Sequence, residues 1–248
     1  QAAIAAAEQA GDRRMLGFAT VALGTAEMGL GMYAEGASTL RSAVTQVRHL
    51  ADETILSGTA MGFLSMGLTD QEDPALFEQA HQTATTCIET VPAAAPAAGG
   101  SYISLARILA AQGALAEAET LARRALGSLH VEPVVSFIAY ATLVQILIKR
   151  GDAAGACLVA EQGLRLLDSL DGTFSTEVEL LLAYAEARVA SGNLAGAQQL
   201  VERAMAKLQL AAAKIPDAAA RERYLTRVPT HAHLAALSSD LAARVKKA

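Results

Sequence analysis

Hydrophobic residues recur at helical spacing in two runs on either side of Gly113, between Tyr102 and Leu126. Apolar side chains return every three or four residues, and charged side chains lie between them most clearly in the second run. This period is typical of an amphipathic helix, and a glycine between two such runs is typical of a turn. The stretch therefore predicts two helices joined by a tight turn and packed on each other.

The same pattern returns along the chain. It aligns on Gly31, Gly113, Gly151 and Gly192, and a fifth copy has Ala75 at the glycine position. The successive intervals from residue 31 to residues 75, 113, 151 and 192 are 44, 38, 38 and 41 residues. Small residues stand five and twelve positions after each alignment point, in the order Gly36, Ala80, Ala118, Ala156, Ala197 and Ala43, Cys87, Ala125, Gly163, Ala204. Self-similarity at this period predicts a helical solenoid in which each pair buries its faces against its neighbours.

The repeat sets the expected boundaries. We expect a repeat array over 1–215 and two capping helices of the same domain over 216–248. Within the array the pattern places helices at about 2–10, 13–30, 33–50 and 53–68, and pairs at about 101–129, 134–170 and 174–213. The capping helices are expected at about 217–227 and 230–246. The chain opens without Met, so we expect it to be a fragment of a longer protein.

Local signals refine these boundaries. Asp12 and Asp73 are expected as helix N-caps, with Pro74 at a first helical position and a longer, acidic turn before it. The segment 91–100 carries two prolines and two glycines. It is either a flexible linker or the start of a helix with Pro96 in the first turn. The second alternative fits better, because the next turn glycine follows at the regular interval.

These positions resemble the tetratricopeptide superfamily, whose helix-turn-helix unit has small residues at three fixed places. Those places fall on Gly24, Gly36 and Ala43 in the first unit, on Ala106, Ala118 and Ala125 in the third, and on Ala185, Ala197 and Ala204 in the fifth. The resemblance implies an all-α, right-handed α-α superhelix of about five helix pairs plus C-terminal capping helices. The long repeats, and the closing run from Arg221 to Leu237, also resemble the C-terminal superhelical region of large bacterial signalling ATPases and serine/threonine kinases.

Composition and charge exclude several function classes. The net charge is −5 and the basic residues are scattered, so we expect no nucleic-acid binding. The longest uncharged apolar run, 133–148, is too short to span a membrane and is expected to be a buried helix. Cys87 and Cys157 are expected to be buried free thiols in a reducing compartment, which predicts a cytoplasmic protein.

No catalytic, metal or cofactor motif appears in the sequence, so we expect no enzyme activity, no cofactor and no metal. The five histidines, His49, His81, His130, His231 and His233, fall at helix ends or on the terminal helices. His231 and His233 stand two residues apart and would point to different sides of a helix. Glu177 and Glu179, like Glu117 and Glu119, are expected to be solvated surface charges.

The family resemblance implies a concave groove lined by the first helix of each pair. It selects Val21, Thr25, Met28, Ile103, Arg107, Gln145, Ile148, Leu182 and Glu186 as groove positions. A groove of this mixed composition is typical of a surface that binds a peptide or a helix. The alternative is that the apolar members simply belong to the core of the long helices.

The sequence therefore favours a non-catalytic protein-protein interaction scaffold. We expect it to be the docking or sensor arm of a larger bacterial signalling protein, with a protein or peptide in the groove and contacts to upstream domains of the same chain. The alternative function is an effector-binding sensor domain, of a signalling ATPase or a transcriptional regulator, for a small molecule or peptide. Two packing predictions accompany both functions. Ala118, Ala156 and Ala197 should be buried, and Tyr224, Leu225 and Leu234 should pack near Val201, Met205 and Leu208.

Overall fold

The computed structural model describes residues 2–47, 54–93, 95–129, 133–170 and 176–245, and all its regular structure is helical. The helices are α1 Ala2–Ala10, α2 Arg13–Gly29, α3 Tyr33–Val47, α4 Thr54–Thr69, α5 Pro74–Thr90, α6 Gly99–Ala111, α7 Leu115–Ser128, α8 Pro133–Lys149, α9 Ala153–Asp168, α10 Glu177–Ala190, α11 Leu194–Ala213, α12 Ala218–Arg227 and α13 Pro229–Val245. The helical residues predicted at 48–50, 53, 174, 175 and 246 lie outside the described ranges.

Five consecutive pairs, from α2–α3 to α10–α11, stack in chain order, and α12 and α13 follow them. Each pair packs within itself and against the next pair. The all-α repeat architecture predicted from the periodicity is therefore confirmed. Among the described helices, none combines the length and the apolar character needed to cross a bilayer.

Four of the turns within pairs share one backbone conformation. The φ angles of Gly31, Gly113, Gly151 and Gly192 lie between 73° and 84°, in the left-handed region that L side chains avoid. In the turn at Gly151, the next residue, Asp152, donates its backbone N–H to the carbonyl of Leu147, which is a typical helix-ending bond. The glycine alignment is therefore a set of equivalent helix turns, as predicted.

The second pair departs from this rule. Its left-handed residue is Glu72, with φ 53°, three residues before the aligned Ala75. Helix α5 begins at Pro74, whose neighbour Asp73 caps it by accepting from the N–H of Ala75. Ala80 and Cys87 are nevertheless fully buried at the predicted packing positions. The extra residues of the 44-residue interval therefore lie mainly in an earlier start of α5, and the expectation of a long turn was only partly right.

Small residues allow the helices of each pair to approach closely. Ala118, Ala156 and Ala197 are fully buried, which confirms the packing prediction. At Gly36 an added methyl group would lie 2.9 Å from the carbonyl oxygen of Gly24 on the facing helix. A larger side chain at such a crossing would push the two helices apart.

The proline-glycine segment before α6 is the start of a helix, not a linker. Pro96–Ala98 forms a single 3₁₀ turn that leads directly into α6, and the residues from 97 to 106 are all buried. The glycines of α4 and α6 meet here, since a methyl group added at Gly100 would lie 3.2 Å from the Cα of Gly62. Residue 94 of this segment lies outside the described ranges.

The two cysteines differ in their surroundings. Cys87 is buried, and burial raises the pKa of its thiol. Cys157 is only half-buried, so the expectation of two buried thiols was wrong for this residue. Its position on α9 faces Ser191 at the next turn, where solvent still reaches it.

The two C-terminal helices connect the two ends of the array. Leu234 is buried in the core of the last pair, and Tyr224 and Leu225 pack against the same cluster, which includes Val201, Met205 and Leu208. This confirms the predicted docking. The helices also reach the first pair, because a methyl group added at Gly31 would lie 3.3 Å from Cβ of Arg227 and 3.6 Å from Val228. The C-terminal helices therefore bridge the concave side from the last pair to the first.

Candidate binding cavity

The concave side encloses a cavity of about 710 Å³. The first helix of every pair contributes to its wall, as the family resemblance implied, and the junction of α12 and α13 lines its far side. The volume falls within the range of roughly 300–1,000 Å³ that is typical of small-molecule sites. The bridge between the last pair and the first therefore turns an open groove into a partly enclosed cavity.

Much of the wall is apolar. Met28 of α2, Phe63 of α4, Phe77 of α5, Ile138 of α8 and Leu182 of α10 all line the cavity. Met28, Ile138 and Leu182 also belong to the buried core clusters, so the apolar wall is continuous with the repeat core. This wall suits an apolar group, because the contact removes hydrocarbon surface from water.

Arg107 is the polar centre of the cavity. Its guanidinium donates through Nη1 to Asp70 and through Nη2 to Glu179, and through Nε to the Thr142 hydroxyl at 3.1 Å. These partners come from the turn after α4, from α10 and from α8, so together with Arg107 on α6 the contacts join four repeats. The Arg107 side chain is 18 % exposed, and those of Asp70 and Glu179 are 40 % and 20 % exposed. One cation is thus shared by two carboxylates.

This sharing affects the protonation of the acids. Burial raises the pKa of Glu179 to about 7, with a further increase from Asp70, and Arg107 opposes the change. Burial likewise raises the pKa of Asp70. Tyr33 lines the same region, and burial together with the charges of Asp70 and Glu179 raises the pKa of its hydroxyl above the ordinary value of 10.0. Ionising Asp70 and Glu179 at the same time is therefore unfavourable in this cavity.

A second polar group lies towards α13. His233 Nε2 is 3.2 Å from Glu186 Oε1. Burial raises the pKa of Glu186, while His233 and a hydrogen bond from Gln145 oppose the change. His231 is buried in the cavity wall, with Nδ1 2.7 Å from the carbonyl oxygen of Tyr224. Burial lowers the pKa of His231, so its neutral form is favoured.

The structure brings five of the nine predicted groove positions to the cavity. Thr25, Met28, Arg107, Gln145 and Leu182 line it. Val21, Ile103 and Ile148 do not: Val21 and Ile103 are buried in the core away from the lining, and Ile148 packs in the central cluster. Glu186 reaches only its edge through His233. For these four, the prediction of a lining position was wrong.

The error has a geometric cause. The lining stripe of α8 runs through Ile138, Thr142, Gln145 and Lys149, at helical spacings of three and four residues. The step from Gln145 to Ile148 turns the helix by about −60°, whereas the step to Lys149 turns it by about +40°. The stripe therefore continues through Lys149, and Ile148 points towards the neighbouring helices.

The treatment of acidic residues as solvated charge was also wrong at three positions. The Glu119 side chain is only 15 % exposed and contacts Arg123 and Arg150. Glu177 is buried and its carboxylate is 3.2 Å from Lys207, and Glu179 contacts Arg107. Burial is tolerated because each carboxylate has a cationic partner. The cations that pair with Glu177 and Glu179 stand 30 and 72 residues away in the sequence, so no local pattern signals them. Only a stacked helical array brings them together.

The described residues contain no group of three His, Cys, Asp or Glu side chains able to hold a metal ion. His49 and His130 lie outside those residues. His81 is exposed in the middle of α5, so the expectation that it lies at a helix end was wrong. The cavity hydroxyls of Thr25 and Thr69 donate to backbone carbonyls within their own helices.

Comparison with known proteins gives matches at the level of structure. No family model matches the chain. No curated protein matches it either. A tetratricopeptide repeat protein of Thermus thermophilus is similar with a TM-score of 0.54 and 19 % identity, over 85 % of this chain and 98 % of that one.

Two further solved structures have the same architecture. The tetratricopeptide-like repeats of a putative kinesin light chain from Podospora anserina match with a TM-score of 0.51 and 18 % identity, over 78 % of this chain and 94 % of that one. PilF of Pseudomonas aeruginosa matches with a TM-score of 0.50 and 14 % identity, over 95 % of this chain and 92 % of that one. Together with the equivalent glycine turns and small-residue crossings, these likenesses identify the chain as a helical-repeat protein with the tetratricopeptide-like fold.

Proposed function

We propose that this chain is a non-catalytic interaction module that binds its partner in the concave cavity. The observation that carries the proposal is the common cavity to which the first helix of every pair contributes. A binding surface built this way draws its specificity from several repeats at once. The apolar wall and the few placed polar groups have the composition of a recognition site.

The finer assignment follows from the resemblance of the long repeats and the closing run. We place the module in a larger bacterial signalling protein of the cytoplasm, as its docking or sensor arm. The module would then also contact the upstream domains of the same chain. The partner in the cavity would be a protein segment or peptide.

A capture experiment with two matched variants tests this function. Ala111 lines the cavity at the end of α6, and Ala116 is exposed on α7 away from it. Ala111→Trp should fill the cavity, while Ala116→Trp adds the same side chain elsewhere. We expect wild type and Ala116→Trp to capture the same partner from a lysate of the source organism, and Ala111→Trp to lose it. Equal capture by both variants would place the binding surface outside the cavity.

The enclosure favours a second candidate function, a sensor for a small effector. The α12–α13 junction lines the cavity through Tyr224, Val228, Pro229 and His231, which limits the room for a long peptide. An effector bound only by the folded state raises its stability by mass action. A rise in Tm with an effector pool, abolished in Ala111→Trp, would favour the sensor. The scaffold would be favoured if no pool changed the Tm while partner capture persisted.

A further inference from the structure

The charges around the cavity are unequal. Asp70, Glu72 and Glu179 line it, and Glu186 stands at its edge beside His233. Among the described residues, the permanent cations of the lining are Arg107 and Lys149. Arg223 and Arg227 lie beyond the lining, where α12 meets the turn at Gly31. Apart from the histidines, four carboxylates of the described residues therefore face two cations.

The imbalance is centred on one point. Arg107 contacts both Asp70 and Glu179, so its single charge compensates only one of them. Lys149 acts on Glu186, and Glu72 adds negative charge to the field at both Asp70 and Glu186. A carboxylate that lacks a counter-charge in a partly dry site either takes a proton or attracts a cation.

We propose that the concave cavity is a binding site for a small ligand that joins an apolar body to one cationic amine or guanidinium group. The cation binds between Asp70 and Glu179 beside Arg107, and the apolar body lies against Met28, Phe63 and Ile138. This proposal rests on the second candidate function, the sensor for a small effector, rather than on peptide binding, and it adds the chemistry of that effector.

The surroundings fit this ligand better than the alternatives. An anion would have to compete with two carboxylates already bound to Arg107. A neutral ligand would leave the excess of carboxylates around the cavity without a counter-charge. The hydroxyl of Tyr33 lies in the field of the same two carboxylates and provides a further polar contact. The cavity volume of about 710 Å³ is large enough for such a ligand.

Three probes with one apolar body test the charge preference. 4-Phenylbutylammonium is cationic, 4-phenylbutanol is neutral and 4-phenylbutyrate is anionic. Isothermal titration of the full chain at about pH 7.5 should show the cation binding roughly 10- to 100-fold more tightly than the alcohol, the range of a charge-assisted hydrogen bond. The anion should bind more weakly than the alcohol. Equal affinity for all three, tighter binding of the anion, or no binding by any of them would overturn the proposal.

Variants locate the effect. Glu179→Gln and Asp70→Asn should each weaken the cation by roughly tenfold or more and leave the alcohol within about twofold. The matched control is Glu161→Gln, because Glu161 pairs with Arg188 outside the cavity lining. It should change neither probe. Unchanged cation affinity in Glu179→Gln, with the fold intact by circular dichroism, would also contradict the site.

A further experiment distinguishes a free amine ligand from a lysine side chain of a peptide. It also distinguishes failure of the proposed ligand chemistry from failure of the proposed interaction module. A heptapeptide with one internal lysine next to phenylalanine serves as a fourth probe. Its binding should be weaker than that of the free amine, because the α12–α13 junction lines the cavity and limits the room for a longer chain; tighter binding would contradict a small ligand. If no amine binds while Ala111→Trp still abolishes partner capture, the ligand chemistry fails and the interaction module stands.

Discussion

Glu179 carries a charge that the folded chain holds at a cost, and Glu179→Gln removes that cost. The substitution keeps the shape of the side chain and an oxygen able to accept from Arg107. It leaves Arg107 paired with Asp70 alone, one cation with one carboxylate. We therefore expect this loss of an ion-pair partner to stabilise the protein at neutral and basic pH.

The pKa of Glu179 gives the magnitude and the sign. Its folded-state pKa is about 7 against an ordinary value of 4.5. Between these values the folded state binds more protons than the unfolded state, so stability falls as the pH rises. The shift corresponds to about 3 kcal/mol when the group is fully ionised, at about 1.4 kcal/mol per unit. Glu179→Gln should be more stable than wild type by about 2–3 kcal/mol at about pH 8, and equal to it near pH 4.5.

Urea unfolding of wild type, Glu179→Gln and Glu161→Gln at several pH values between about 4.5 and 8 measures this difference. Glu161 is 37 % exposed and pairs with Arg188, so its variant should differ from wild type by less than about 1 kcal/mol. A loss of stability in Glu179→Gln at about pH 8 would refute the reasoning. It would mean that the second carboxylate contributes net stability through Arg107.

Three further outcomes follow from the packing. Ala156→Leu should overfill a fully buried crossing and lower the free energy of unfolding by about 1–3 kcal/mol, whereas Leu at the exposed Ala154 should change it by less than about 0.5 kcal/mol; equal urea midpoints would contradict the register. Removal of 216–248 should uncover the last pair and cause self-association in light scattering; a monomer of unchanged Tm would show that these helices are no cap. Glu72→Gly should raise the free energy of unfolding by about 1 kcal/mol and Gly113→Ala should lower it by about 1 kcal/mol, because both backbones are left-handed. Thermal melting should show a higher Tm for the first variant and a lower Tm for the second; the reverse signs would contradict that conformation.

The fold was readable from the sequence because its determinants are local. A glycine at each turn reflects a left-handed φ, and a small residue five positions later reflects a helix crossing, so both repeat with the period. The second pair shows the limit of this argument. Glu72 occupies the left-handed position without being a glycine, and nothing in its sequence marks it.

The site was readable only in part, for the opposite reason. Arg107 could be placed on the concave side from its position in the repeat. Its partners Asp70 and Glu179 are 37 and 72 residues away, in a turn and in another repeat. Their convergence depends on how the superhelix curves, which the periodicity leaves undetermined. The contact of α12 with the turn at Gly31 has the same origin, since it joins the two ends of the array.

The claim that the concave cavity binds the ligand can be tested directly through its methionines. Met28 and Met66 line the cavity, whereas Met15 is exposed on α2 and Met205 lies on α11 outside the lining. Methyl NMR of ¹³C-methionine-labelled protein, titrated with 4-phenylbutylammonium, reports on all four at once. We expect the signals of Met28 and Met66 to shift to saturation while those of Met15 and Met205 stay in place. Saturable shifts confined to Met15 or Met205, or no shift at Met28 and Met66, would contradict a binding site in the cavity.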